Sequence, residues 1–203
     1  MPDMRVIDVW ADVLCPFTHV GLRRVVAERS ARNVPVLLHV LAWPLEWVNG
    51  APLDADFVAM EVQALRETVA PDLFAGFDPA TFPTTSVPAL ALAGAAYEQN
   101  LEHGEAVSLA LRDAVFEQGL DVGTDAVLDR IAAAHGVVRP DGDAAVRAQY
   151  EAGRHLGVVG SPYFVFDDHH WFCPSLDIHH EDGRFRIDVD RVAGVEFLRQ
   201  IFG

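Results

Sequence analysis

The stretch Asp12-Val13-Leu14-Cys15-Pro16-Phe17-Thr18 is the most informative part of this chain. Its first three residues are the end of an apolar segment, residues 5–14, whose pattern predicts a β-strand. Proline is favoured at the first position of a helix, because the N–H that it lacks has no partner there. The sequence therefore predicts a strand that delivers Cys15 to the N-terminus of a helix spanning residues 17–32.

A thiol in this position faces unpaired backbone N–H groups and the positive end of the helix dipole. Both favour the thiolate, so we expect the pKa of Cys15 to fall into the range of roughly 3.5–7.5 found at helix N-termini. The carboxylates of Asp8 and Asp12 act in the opposite direction. Thr18 lies one helical turn after Cys15, and its hydroxyl can donate a hydrogen bond to the sulfur. We predict that Cys15 is a nucleophile and that Thr18 stabilises its thiolate.

The middle of the chain is predicted to be helical. A second strand, residues 34–42, has the near-continuous apolarity of a strand that is buried on both faces. Residues 54–155 then carry helical signals with little strand alternation. The helices expected there span about 54–70, 89–103, 105–119 and 124–135, and a last one begins at Asp141 or Asp143 and ends near Leu156.

The C-terminal part returns to mixed structure. Strands at residues 163–167 and 171–179 are joined by a short turn, which makes them antiparallel. The turn Glu181-Asp182-Gly183 follows, and residues 184–189 are expected to add an extension of the strand pair. Asp190 then caps a final helix that ends near Ile201, with Val192, Val195 and Leu198 directed inward and Phe197 as a further inward candidate.

The predicted order is β-α-β, a helical insertion, then β-β-α. With the motifs Asp12–Thr18 and Gly157–Val165, the chain resembles the DsbA-like family of thioredoxin-fold proteins. That family also contains kappa-class glutathione transferases and 2-hydroxychromene-2-carboxylate isomerases. The resemblance implies an α/β, thioredoxin-like fold with an all-helical insertion: residues 1–50 and 157–203 form a discontinuous domain, and residues 51–156 form the inserted one.

The resemblance also implies a binding site around the motif cysteine. Pro162 resembles the cis-proline of the family, and cis bonds are almost confined to proline; a trans proline at a strand start is the alternative. In the cis form it faces the cysteine and exposes the backbone of Ser161 to a bound peptide or small thiol. Trp43 follows the second strand, on the side where open α/β sheets bind ligands. The predicted substrate-binding residues are Pro16, Phe17, Trp43, Ser161 and Pro162.

One position departs from the family pattern. Oxidases of this family carry Cys-x-x-Cys, whereas Thr18 holds the second cysteine position here. In a two-cysteine site the partner thiol expels the substrate from the mixed disulfide. A small thiol would have to perform that step here, or Cys173, which the predicted hairpin brings back toward Pro162. The alternative for Cys173 is a structural, inert cysteine.

A metal site is not predicted. The adjacent pairs His169-His170 and His179-His180 are poor chelators, because neighbouring strand residues point to opposite faces. The two cysteines are too far apart in sequence for a metal motif. His19 is expected to face solvent, with the alternative that it stabilises the thiolate when protonated.

Composition restricts the class of protein further. The 203 residues are 51% hydrophobic, which suits one folded domain or one domain with an insertion. The net charge of −15 opposes binding to nucleic acid or anionic membranes. Two cysteines and the absence of a signal-peptide or membrane-spanning pattern favour a cytoplasmic protein, as a monomer or homodimer. All 15 cationic residues are arginine, which suggests a GC-rich bacterial genome.

Three functions remain open at this stage. The first is a thiol–disulfide oxidoreductase with a single motif cysteine, without a tightly bound cofactor, acting on a small-molecule thiol or a protein disulfide. Mycothiol or glutathione would be its co-substrate. The second is a transferase or isomerase that uses bound glutathione or mycothiol, as relatives with serine at the position of Cys15 do. The third is a non-catalytic thiol-binding protein on a redox fold.

Overall fold

A computed structural model describes residues 4–174, 176–181 and 184–203. The strands are Arg5–Ala11 (β1), Val36–Ala42 (β2), Tyr163–Phe166 (β3), His169–Phe172 (β4), Leu176–Glu181 (β5) and Arg184–Val189 (β6). The α-helices are Pro16–Arg32 (α1), Leu45–Asn49 (α2), Ala55–Thr68 (α3), Val87–Tyr97 (α4), Leu101–Phe116 (α5), Asp125–His135 (α6), Ala144–Leu156 (α7) and Arg191–Phe202 (α8). Across these described ranges, every helix is too short or too polar to cross a bilayer.

The central sheet has the strand order β2-β1-β3-β4. β1 is parallel to β2 and antiparallel to β3, and β3 is antiparallel to β4. One face is covered by α1 and α8, where Leu22 and Phe197 pack around Val9 and Phe164. On the other face Trp10 packs near α7. The predicted α/β architecture is confirmed: the two halves of the chain, separated by the helical segment, meet in one thioredoxin-like sheet.

Side chains of the helical segment cover the free edge of strand β2. Its residues alternate between buried and half-buried, so the expectation of full burial on both faces is wrong. Three alternate N–H groups donate to side chains of α5, α4 and α7: Leu38 to Glu105 at 2.7 Å, Val40 to Tyr97 at 3.0 Å and Ala42 to Gln149 at 2.7 Å. Because the edge groups are satisfied in this way, β2 offers no template for pairing with another strand.

The boundary between α4 and α5 differs from the prediction. The sequence placed it near residue 104, but α4 ends at Tyr97 and α5 begins at Leu101. Asn100 caps α5 by accepting the N–H of His103 at 2.8 Å. Gly104 is needed for packing instead, since a Cβ there would lie 2.0 Å from Cδ1 of Tyr97.

The predicted strand at residues 171–179 is also wrong. β4 ends at Phe172, and Cys173 adopts a left-handed conformation with φ +43°. β5 then pairs with β6 in a separate two-stranded sheet instead of extending the central one. This β5–β6 hairpin packs against α3, and its residue Ile187 joins the core cluster that contains Cys15. The predicted turn at 181–183 lies outside the described residues at Asp182 and Gly183.

The C-terminal helix presents a different face from the predicted one. Asp190 caps it as expected, accepting the N–H groups of Val192 and Ala193. Val192 and Val195, however, are 82% and 66% exposed. Phe197, the further inward candidate, is buried together with Ile201 and Phe202, because burying these larger side chains removes more apolar surface from water. Leu198 is half-buried against the same core.

Candidate functional site

Cys15 is held at the junction of β1 and α1. It is the N-cap residue of the helix, with φ −82° and ψ 114°, and Pro16 is the first helical residue, as predicted. The cysteine side chain does not cap the helix. Its Sγ donates to the carbonyl oxygen of Ser161 at 3.3 Å, and the residue is only 3% exposed. The sulfur is thus turned toward the Ser161–Pro162 segment and away from water.

The loop before Cys15 is fastened by Asp12. The buried carboxylate accepts the N–H of Leu14 at 2.8 Å, the N–H of Leu45 at 2.6 Å and the hydroxyl of Ser86 at 3.0 Å. Burial raises the pKa of Asp12, although these donors and the charge of Arg112 oppose that shift. Arg112 also donates to the backbone oxygen of Asp12 at 3.2 Å. From the sequence, Asp12 was expected only to oppose ionisation of Cys15. Its position at the end of an apolar strand could have indicated this structural role.

The Ser161–Pro162 peptide bond is cis, the geometry expected from the sequence. The hydroxyl of Ser161 accepts the N–H of Asp12 at 3.0 Å and shares a hydrogen bond of 2.9 Å with the hydroxyl of Thr18. Thr18 is fully buried and also hydrogen-bonds to Cys15. Residues 146 positions apart are therefore joined in one polar cluster around the sulfur.

The pKa of Cys15 does not follow the sequence expectation. Burial raises it above its ordinary value, and the hydrogen bonds from Thr18 and Ser161 only partly offset this effect. The carboxylate of Glu61 raises it further. The expectation of a lowered pKa is therefore wrong for this closed arrangement. The sulfur does lie at a helix N-terminus, but loss of hydration disfavours the charged form more strongly.

Cys173 lies beside the same cis peptide unit. Its N–H donates to the carbonyl oxygen of Pro162 at 3.0 Å, one step beyond the cross-strand pair of Tyr163 and Phe172. Burial raises the pKa of Cys173 to about 12, the charge of Cys15 contributes in the same direction, and Arg24 opposes. The two cysteines thus flank the Ser161–Pro162 unit and interact electrostatically.

A cavity of about 400 Å³ opens between α1, α8 and the start of β5. Its walls are mostly apolar and include Phe17, Val20 and Leu198. Pro162 and Cys173 also line it. A ligand in this cavity would contact the cis-proline and the second cysteine. Cys15 hydrogen-bonds to Ser161, the residue that precedes the cis-proline.

Two of the predicted substrate-binding residues, Trp43 and Pro16, do not line this cavity. Trp43 is buried in a separate cluster with Trp10 and Val158, and its ring packs 4.9 Å from that of Tyr150 on α7, so the structure does not bring it to the cavity. Pro16 is buried in the first turn of α1. The motif residues Cys15, Phe17 and Thr18 and the segment Ser161–Pro162 are brought together.

His19 does not face solvent as expected. It is 1% exposed, and its Nε2 lies 2.7 Å from Oε1 of Glu117. Glu117 also accepts the N–H groups of Phe74 and Ala75, at 2.8 and 3.0 Å. Partial burial alone would raise the pKa of Glu117, but these donors outweigh it and lower the pKa to about 2. The pair fastens the first turn of α1 to the helical segment.

This arrangement predicts a pH-dependent stability. A carboxyl whose pKa is lowered on folding stabilises the fold above its unfolded value of 4.5, and this contribution is lost as the pH falls toward 2. Glu117→Gln should lower the free energy of unfolding at neutral pH by about 1–3 kcal/mol. Urea unfolding at a series of pH values should show the difference from wild type shrinking below 4.5. Glu151→Gln, which alters an exposed pair with Arg154, is the control; a pH-independent loss in Glu117→Gln would contradict the assignment.

No group of three or more His, Cys, Asp or Glu side chains is arranged to hold a metal ion within the described ranges of the chain. The polar groups around Cys15 instead bond to one another and to the backbone. The site therefore consists of a thiol, two hydroxyls and a cis-prolyl segment, and the thiol is its reactive group.

A helix-borne cysteine that faces a cis-proline, on a β2-β1-β3-β4 sheet, defines a protein of the thioredoxin-fold class. The sequence model of the DSBA-like thioredoxin domain matches residues 6–180. The chain belongs to this DSBA-like family. Among curated proteins, none matches the chain significantly.

Solved structures of similar fold agree with this assignment. A 2-hydroxychromene-2-carboxylate isomerase is 17% identical, with a TM-score of 0.62, over 82% of this chain and 88% of its own. A candidate protein disulfide isomerase from Nitrosomonas europaea is 16% identical, with a TM-score of 0.64, over 98% and 96%. The cytosolic disulfide reductase DsbM from Pseudomonas aeruginosa is 18% identical, with a TM-score of 0.56, over 96% and 97%. At these identities the likeness establishes the fold alone.

Proposed function

We propose that this protein is a thiol–disulfide oxidoreductase in which Cys15 is the nucleophile. The observation that carries the proposal is the placement of the Cys15 sulfur, at the N-terminus of α1 and 3.3 Å from the carbonyl of the residue preceding the cis-proline. In the family that the chain resembles, the backbone beside the cis-proline binds an extended peptide or a small thiol. Structural neighbours that are named as a disulfide isomerase and a disulfide reductase are consistent with this proposal.

The reaction begins with attack by the Cys15 thiolate on one sulfur of a substrate disulfide. A mixed disulfide with Cys15 forms, and the other substrate sulfur leaves as a thiolate that takes up a proton. A small thiol, glutathione or mycothiol, then attacks the substrate sulfur of the mixed disulfide as a thiolate; a disulfide between the small thiol and the substrate forms, and Cys15 leaves as a thiolate. A reducing compartment such as the cytoplasm would supply this thiol and keep the enzyme reduced.

The cavity beside the site indicates what the substrate carries. Its walls are apolar and its volume of about 400 Å³ lies within the usual range for small-ligand sites. Arg24, Glu28 and Arg191 contribute charged groups to its lining. We therefore propose a disulfide substrate with an apolar portion, which would lie against Phe17 and Leu198 while its sulfur approaches Cys15.

A second candidate follows from the state of the thiol. Because burial raises the pKa of Cys15, the protonated form is favoured, and it donates a hydrogen bond to Ser161. Serine performs such donation in the glutathione-dependent relatives that the sequence resembles. The protein would then be a transferase or isomerase in which Cys15 holds a bound small thiol without forming a covalent bond to it.

Mass spectrometry of the intact protein separates the candidates. Reduced protein incubated with oxidised glutathione or oxidised mycothiol should gain the mass of one thiol or form an internal disulfide, and Cys15→Ser should do neither. If reduced thiol is retained without covalent change, the transferase or isomerase candidate is supported. The absence of both outcomes would leave a thioredoxin fold without thiol chemistry and would overturn the proposal.

A further inference from the structure

Glu61 is an acidic residue in an apolar position. Val58, Glu61, Val62 and Leu65 follow the helical spacing of one face of α3. The three apolar members are buried in the core cluster that also contains both cysteines. Among the residues that the structure describes, no hydrogen bond or ion pair is formed by the Glu61 carboxylate. Glu61 is itself half-buried, and removing part of a carboxyl from water without such partners is costly, which points to a role in the site.

Glu61 lies on the face of α3 that packs into the core cluster containing the two thiols. Its charge acts on both Cys15 and Cys173. Burial raises the pKa of Glu61 to about 8, so the carboxyl loses its proton in the mildly alkaline range. On α1, Arg24 acts on Cys173. On β6, Arg186 and Asp188 bond to each other at 2.6 Å on the exposed side.

Cys173 lies beside the same cis-prolyl segment as Cys15. Cys15 bonds to the carbonyl of Ser161 through its sulfur, and Cys173 bonds to the carbonyl of Pro162 through its N–H. The cysteines are thus anchored on successive carbonyls. Cys173 also keeps a left-handed backbone, φ +43°, a strained conformation for a non-glycine residue that is concentrated at functional sites. As a high-pKa thiol, however, it needs a base before it can attack.

We propose that Cys173 resolves the mixed disulfide formed at Cys15 and that Glu61 accepts the Cys173 proton. This inference rests on the proposed oxidoreductase function. It adds a second cysteine from outside the Cys15–Thr18 motif and a carboxylate from the helical segment, so that the protein dithiol itself completes the reduction of the substrate.

The step balances as follows. The Glu61 carboxylate takes the Cys173 proton, and the resulting thiolate attacks Cys15 Sγ of the mixed disulfide. The bond between Cys15 and the substrate sulfur breaks while a Cys15–Cys173 disulfide forms, and the departing thiolate receives the proton from Glu61. The substrate disulfide has then been reduced to two thiols and the protein dithiol oxidised to a disulfide. The small thiol of the proposed cycle reduces that disulfide.

A single-turnover experiment with a dipyridyl disulfide tests this sequence, because each released thiopyridone absorbs light. Wild type should release one equivalent as Cys15 attacks and a second as Cys173 resolves, and the product should contain an internal disulfide by mass. Cys173→Ser should release one equivalent and keep the adduct. The second release should accelerate with rising pH around the Glu61 pKa of about 8.

Glu61→Gln is the decisive variant. The second release should slow by roughly 100-fold, as expected when a general base is removed, and its dependence on the Glu61 ionisation should disappear. The first release should be unchanged or faster, because a negative charge near Cys15 has been removed. Glu61→Asp should recover part of the second rate. Glu67→Gln, on the exposed side of α3 where Glu67 accepts from Gln63 at 2.9 Å, should match wild type.

The outcomes distinguish this inference from the function on which it rests. A single release from wild type, with a stable adduct at Cys15, would overturn the role of Cys173 and leave the oxidoreductase intact. Two releases that Glu61→Gln leaves unchanged, or slows equally, would overturn the role of Glu61. The absence of any release would overturn the oxidoreductase function itself.

Discussion

Serine in place of Cys15 should abolish thiol–disulfide exchange. Removal of a covalent nucleophile is among the most damaging single changes in an enzyme, and we expect the exchange rate to fall by at least about a thousand-fold. Serine is a weak nucleophile at neutral pH unless a neighbouring base activates it. The rate is measured as reduction of a small-molecule disulfide, with glutathione or mycothiol as the reductant.

The Cys15→Ser variant should remain folded, which makes the loss of rate interpretable. A serine hydroxyl can donate to the carbonyl of Ser161 as the thiol does at 3.3 Å. Thermal unfolding of variant and wild type should therefore differ by only a few degrees, or about 1 kcal/mol. Cys173→Ser is the matched control for this comparison of stability alone, since Cys173 is also buried and is itself proposed to take part in the reaction. Retention of the wild-type rate by Cys15→Ser would remove this residue as the nucleophile.

Alanine in place of Asp12 should cause the largest loss of stability. The variant removes the acceptor for two backbone N–H groups, of Leu14 and Leu45, and for the hydroxyl of Ser86. Breaking a buried charged network typically costs about 3–5 kcal/mol, because its remaining members are left unpaired. For a protein of this size each kcal/mol lowers Tm by roughly 2–4 °C. Thermal and urea unfolding should both show the effect.

The loop that carries Cys15 should be loosened as well. Leu14 precedes the cysteine directly, so its bond to Asp12 helps to place the sulfur. The rate of Cys15 alkylation should therefore change in Asp12→Ala. Asp8→Ala is the control: Asp8 is also on the N-terminal segment, but it is 42% exposed and pairs with His39, so its loss should cost at most about 1 kcal/mol. Equal losses in the two variants would contradict the role of Asp12.

The burial of Cys15 has a consequence for the reaction. A thiol whose pKa is raised is mostly protonated at neutral pH, so little thiolate is available. Thr18 and Ser161 are the described groups whose hydrogen bonds favour the charged form. Exchange rates should consequently rise steadily with pH through the alkaline range.

Cys173 lies between β4 and the β5–β6 hairpin in a strained backbone conformation. It lines the apolar cavity through which a substrate would approach.

The local features of the fold were predictable from the chain itself. Proline after Cys15 begins α1, Asn33 ends it with φ 54°, and Asp54 and Asp190 cap their helices, because each effect depends on residues only a few positions apart. The pattern of β-α-β and β-β-α segments was readable for the same reason. The family resemblance then pointed to the pairing of Cys15 with Ser161 and Pro162.

Tertiary packing decided the properties that depend on distant segments. Burial beneath the β5–β6 hairpin and α3 reversed the expected pKa shift of Cys15, and the pairing of His19 with Glu117 buried an imidazole that the sequence placed in solvent. The site around Cys15 also acquired Glu61, which carries no motif. Hydration and long-range Coulomb interactions set the ionisation of a side chain, and both depend on which surfaces meet when the chain folds. The spacing of residues along the sequence therefore identifies Cys15, whereas the assembled core determines its ionisation.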